Sequence, residues 1–142
     1  MTDSDQDIRN AAQNLARRIA NFVEKRSGDQ LLGFYLLGSL AHGGFNRRYS
    51  DIDVGLVAEN GIDEALIADI KSEAARLSPT LAPKLSLFWA DRAFTAGRFP
   101  PLDRLDYLDH AVPLMERERI SVDRPTPSDI RDYLRGEPFE RW

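Results

Sequence analysis

Cysteine is absent from this 142-residue chain, and with it go disulfides, thiolate metal ligands and cysteine nucleophiles; a reducing compartment fits. A basic surplus is missing too, because 19 Lys and Arg face 23 Asp and Glu for a net charge of -4. That balance speaks against nucleic acid as the main partner, since nonspecific binding needs cations to neutralise phosphates. No apolar run approaches the roughly 20 residues that span a bilayer, and the start "MTDSDQDIRN" lacks the basic and apolar regions of a secretion signal. A soluble cytoplasmic protein is expected. The sequence also has no GxGxxG, Walker A, HExxH or GxSxG pattern, which weakens dehydrogenase, P-loop, zinc-protease and hydrolase readings. Neither an internal repeat nor a low-complexity segment is visible.

What is present, 42% hydrophobic and 30% charged residues over 142 positions, suits one compact domain over residues 1–142. Ile8, Ala11 or Ala12, Leu15, Ile19 and Phe22 or Val23 mark one face of a helix that should end near Gly28. "LLGFYLLG" from Leu31 reads as a buried strand, and "DIDVGLVA" from Asp51 as a second strand of alternating character. Ile62, Leu66, Ile70, Ala74 and Leu77 predict a second helix, Pro79 and Pro83 bracket a loop, and "KLSLFWA" makes a third strand. From "RFPPLDRLDYLDHA" onward the pattern is helical, with Pro101 in a first turn and Leu102, Leu105 and Leu108 spaced by three. The last helix starts at "TPSDIRDYL", where Thr126 is the N-cap, Pro127 the N1 proline and Asp129 the partner of a capping box. Phe139 and Trp142 could dock the tail. The order predicts an α+β fold, a small mixed sheet flanked by helices, with a core over about 31–92 and a helical extension over about 99–142.

The stretch "LLGSLAHGGFNRRYSDIDVGLV", Leu36 to Val57, carries the chemistry. Asp51 and Asp53 are two apart, so in a strand they share a face while Ile52 and Val54 point into the core. Neighbouring carboxylates repel unless a cation neutralises them, and one or two carboxylates with substrate phosphates are what Mg²⁺ takes. Gly38 and Ser39 follow the first strand, where glycine lets a phosphate approach the backbone; if Ser39 caps a short helix, the N–H groups there attract an anion. Each feature has a plainer reading, a common turn and a solvated strand entry.

In combination, "LGSLAHGGFNRRYSDIDVGLV" resembles the signature of the nucleotidyltransferase superfamily that includes DNA polymerase beta. The resemblance is greatest to its minimal branch, related to the aminoglycoside nucleotidyltransferases. In that family a strand leads to Gly-Ser, a short helix and loop follow, and Asp-x-Asp begins a second strand; here 11 residues separate Ser39 from Asp51. The resemblance implies that Gly38 and Ser39 hold the triphosphate and that Asp51 and Asp53 bind Mg²⁺, or Mn²⁺ in its place. It also implies transfer of a nucleotidyl group, AMP being the favoured one, from a nucleoside triphosphate to a hydroxyl. Two metal ions about 4 Å apart can stabilise attacking and leaving oxygens together.

The family's third acid lies on the third strand, and the position that aligns with it is Ser86. Asp91, five residues on, is either a polar strand cap or a re-aimed third carboxylate. His42 stands where many relatives have a basic arginine, and Arg47 and Arg48 read as solvated surface or triphosphate contacts. His110 suits a helix C-terminus; of Phe88 and Trp89, one should fill the core and the other face the site or an interface. The favoured reading is an enzyme modifying a protein, RNA end or small molecule. The alternative is a nucleotidyltransferase-like binding module that lost turnover with the third acid, such as a toxin-neutralising antitoxin or a regulatory subunit. A third reading has the C-terminal third building a homodimer.

Overall fold

A computed structural model of the chain describes residues 3–42, 51–93, 101–120 and 122–136. The first helix, α1 (Asp3–Ser27), forms where the three-and-four spacing predicts it: Ala12, Leu15, Ala16, Ile19, Ala20 and Val23 are all buried along one face. Gly28 follows with φ +56°, the left-handed conformation that glycine adopts without a Cβ clash, and it stops the helix. A short 3-10 turn then delivers the chain to β1 (Leu31–Leu36), buried at every position. Its neighbours are α2 (Gly38–His42) and β2 (Ile52–Ala58).

The helix α3 (Glu64–Leu77) is capped by Asp63, whose carboxylate accepts a hydrogen bond from the Leu66 amide at 2.8 Å. It buries Ile70 and Ala74 and crosses over to β3 (Leu85–Asp91), which pairs parallel with β2. A crossover helix is what parallel pairing requires. The last elements are α4 (Pro101–His110), β4 (Val112–Glu116) and α5 (Pro127–Gly136). At the start of α5 the capping box is reciprocal: the Asp129 amide donates to Thr126 Oγ1 at 3.1 Å, and the Thr126 amide donates to Asp129 Oδ2 at 2.8 Å. Hydrogen bonds to its carboxylate from the Thr126 amide, and also from the Thr126 hydroxyl, favour the charged form and hold Asp129 below the usual range.

The sheet order is β3-β2-β1-β4, with β1 antiparallel to both β2 and β4. The expected α+β architecture is present, with two differences. A strand, β4, occupies a region whose pattern reads as helical. It is short, carries Pro113, and is mostly exposed; proline is admitted because β4 is an edge strand, where a missing N–H breaks no inner ladder. Nor does β2 alternate: it is buried at every position except Asp53, because strands flank it on both sides and apolar side chains pack on both faces.

Those faces differ. On one, α1 and α3 cover Phe34, Leu36, Ile52, Val54 and Leu56 in a continuous core. On the other, a smaller cluster of Leu32, Tyr35, Leu37, Val57 and Ile120 packs with Phe88 and Tyr107. At one end of the sheet the Arg92 guanidinium binds Glu59 at 2.8 Å and Glu118 at 2.7 Å, tying together the ends of β2, β3 and β4 from an exposed position. Phe139 and Trp142, expected to dock the tail, lie outside the described residues, as do Arg47 and Arg48.

Candidate functional site

The Gly-Ser turn and the aspartates meet through backbone geometry. As β1 ends, the Leu37 amide donates to the Asp53 carbonyl at 2.8 Å, which locks the turn onto β2. Gly38 comes next with φ +59°, and a Cβ there would run into Asp53 Oδ2. Glycine is needed twice over, for the left-handed backbone and for room beside the carboxylate. Ser39 is the second residue of the five-residue α2 and so lies inside its first turn rather than capping it.

Asp51 stands exposed just before β2, and Asp53 is half-buried on it, while Ile52 and Val54 between and after them are fully buried. The inward residues belong to the α1 and α3 core, so alternation aims Asp53 at the opposite, more open face. In the parallel register Ser86 sits directly beside Asp53. The hydroxyl therefore occupies the place where the family resemblance puts an acid. Asp91 pairs with Ala58 at the far end of the strands, five residue steps or about 17 Å from Ser86, and this removes it as a third carboxylate.

Burial raises the proton affinity of Asp53, and the nearby charges of Asp51 and Asp106 raise it further. Asp106 comes from α4, and no sequence spacing links it to the Asp-x-Asp pair. Among the described residues no group of three carboxylate or histidine side chains converges tightly enough to share one metal ion. Asp51 and Asp53, a pair of neighbouring hard oxygen donors, could together hold a divalent cation, and their chemistry would fit Mg²⁺.

Beside it on the same face lies a cavity of about 370 Å³ lined by Tyr35, Tyr107, Glu116, Arg119, Ile120 and Val122, among others. Gly33 makes it possible. A Cβ at Gly33 would strike the Tyr35 ring, so the glycine lets Tyr35 fold back along the strand and donate its hydroxyl to Glu116 Oε2 at 2.8 Å. Glu116 is the β4 residue opposite Gly33. The Tyr107 ring meets Tyr35 edge-on, with centroids 5.1 Å apart and an interplanar angle of 79°. Burial, together with hydrogen bonds to the Tyr107 side chain and to Glu116, pushes the Tyr35 hydroxyl far above the usual tyrosine range. Gly55 repeats the device, since a Cβ there would press on Leu37 at 2.9 Å. Glycine inside a strand is the signal that could have located this hollow in the sequence.

Of the remaining candidates, Phe88 packs with Tyr35 and Leu37 while Trp89 is 41% exposed on the β3 edge. His110 is exposed in the last turn of α4, a position that suits a dipole-compensating cap. His42 ends α2.

Comparison with protein-family models and with curated protein sequences gives no match. Among solved structures, a Sulfolobus solfataricus protein provisionally named a nucleotidyltransferase aligns with TM-score 0.51 and 22% identity over 86% of this chain and 96% of its own. A toxin-antitoxin structure with AMP-PNP aligns with TM-score 0.48 and 16% identity over 81% of this chain and 77% of that one. A tri-AMPylated Shewanella oneidensis HEPN toxin in complex with its MNT antitoxin gives TM-score 0.43 and 16% identity over 73% and 72%. Among the described residues no helix is long and apolar enough to cross a membrane. With a four-stranded mixed sheet between helices and the likeness to the Sulfolobus protein, the chain has a nucleotidyltransferase-type fold.

Proposed function

We propose that the chain is a Mg²⁺-dependent nucleotidyltransferase acting in the cytoplasm, moving AMP from a nucleoside triphosphate to a hydroxyl on a protein, RNA end or small molecule. The observation that supports this reading is the close approach of Gly38 to the Asp53 carboxylate, which sets the Gly-Ser turn beside one of the two acids. Asp51 and Asp53 would hold Mg²⁺ or Mn²⁺, which supplies charge neutralisation at the phosphates. Gly38 and Ser39 would offer backbone N–H groups to the triphosphate. The acceptor oxygen bonds to the α-phosphorus as the bond to the bridging oxygen breaks; pyrophosphate leaves, and the hydroxyl proton passes to water on the open face.

Ser86 beside Asp53 favours a second reading, a nucleotide-binding module without turnover whose work is protein association, as an antitoxin or regulatory subunit. Calorimetry with Mg-ATP on the wild type and on the doubly substituted Asp51→Asn, Asp53→Asn protein tests the site: a loss of at least about tenfold in affinity is expected, and equal affinities would discard it. Label transfer from α-labelled ATP to candidate protein and RNA acceptors then separates the readings, because tight Mg-ATP binding with no transfer leaves only the module.

A further inference from the structure

We infer that the groove between α1 and α3, on the outer side of the two helices, is a docking site for an acidic amphipathic helix of a partner protein. Arg18, Phe22 and Lys25 stand at steps of four and three along α1, so they form one stripe, with the two cations about 10.5 Å apart at about 1.5 Å per residue. Glu73, Arg76 and Leu77 of α3 line the same hollow of about 350 Å³. These helices cover the sheet face opposite Asp53, so an occupant leaves the Gly38 and Asp53 region open and docking does not depend on nucleotide binding.

Rim charge and floor together define the occupant. Three cations and one carboxylate line the groove in a chain whose net charge is -4, and that carboxylate, Glu73, is already bonded to Arg76. Arg18 and Lys25 are exposed, and among the described residues neither side chain has a hydrogen-bond or ion-pair partner. Neighbouring Arg26 differs: it is bonded to Asp69 at 2.6 Å and lies 5.9 Å over the Phe22 ring. Phe22 and Leu77 are half-buried and pack against the α1 and α3 core, which gives the groove an apolar floor. A helix laid there satisfies rim and floor at once. Its carboxylates seven residues apart meet Arg18 and Lys25, and an apolar residue midway between them reaches Phe22 and Leu77. A phosphate chain would leave that floor unused and meet Glu73, so nucleic acid is the poorer match.

Fluorescence anisotropy with a labelled alanine-based helical peptide of about 16 residues, carrying two Glu seven apart and Leu three and four after the first, tests the groove. Saturable binding is expected with Kd on the order of 100 µM, weakened about tenfold when both Leu are replaced by Ala. The Arg18→Glu, Lys25→Glu protein, altered only at exposed positions and so with an unchanged melting temperature, should bind at least about tenfold more weakly. It should instead prefer the peptide with Lys in place of both Glu. No saturable binding up to about 1 mM peptide, or the same peptide preference in wild type and variant, overturns the inference. So does binding of single-stranded oligouridylate, and not of the peptide, that these substitutions abolish, since the groove would then be a nucleic-acid surface.

Discussion

The two faces of the sheet are built on different principles. Toward α1 and α3, Ile19, Val23, Phe34, Ile52, Leu56 and Ile70 are fully buried in a continuous apolar core. Toward α4, the strands carry Gly33 and Gly55, a half-buried Asp53 and a tyrosine pair around a cavity. Glycine weakens a strand and a buried carboxylate opposes folding, so the second face costs stability that the first supplies. Folding and ligand chemistry are thereby divided across one sheet, and strands only two residues wide in period serve both.

Breaking the closed face should have the largest effect. Phe34→Ala is expected to lower unfolding free energy by about 3–5 kcal/mol in urea denaturation, and a loss comparable with that of an open-face substitution would erase the distinction. Next comes Asp53→Asn, with the opposite sign. Because the folded protein raises the proton affinity of Asp53, the ionised form is disfavoured on folding: its burden is absent below the unfolded carboxylate range near about pH 4 and grows as pH rises through the higher folded value. The metal-free variant should therefore melt above wild type at neutral pH and converge with it in acid. A lower melting temperature at neutral pH would show that Asp53 stabilises the apo fold.

Tyr35→Phe sharpens the contrast from the polar side. It removes the bond to Glu116 at about 1 kcal/mol, since Glu116 is exposed and can hydrate. The raised proton affinity of Tyr35 keeps it neutral in the fold, so wild type should lose stability above about pH 10, where the unfolded tyrosine ionises. The variant should lose less in an alkaline titration of stability, and parallel curves would contradict this. The smallest effect is expected from Arg92→Gln, whose ion pairs with Glu59 and Glu118 are exposed and screened by salt; a large change persisting at high salt would make this clamp part of the folding core.

Local signals in the sequence were legible where they acted over a few residues. The α1 stripe, the stop at Gly28 and the Thr126–Asp129 box are all formed as their spacing predicts, because periodicity and capping are satisfied within one or two helical turns. β4 was not legible: Val112–Glu116 has proline and exposed positions, and only pairing with β1 makes it a strand. The site divided in the same way. Asp51, Asp53, Gly38 and Ser39 lie within one short stretch whose order suggested them, whereas Asp106, Tyr35, Tyr107 and Glu116 come from three separate elements.

By itself, the sequence determined the helical faces, the caps, the first three strands and the spacing that sets Gly38 against the Asp-x-Asp pair. The tertiary structure decided which strand completes the sheet, that Ser86 and not Asp91 stands beside Asp53, and that α4 brings Asp106 and Tyr107 to the open face. The physical reason is range: helix periodicity and hydrogen-bonded caps are local, while strand pairing and the meeting of side chains from distant elements depend on how the whole chain buries its apolar surface.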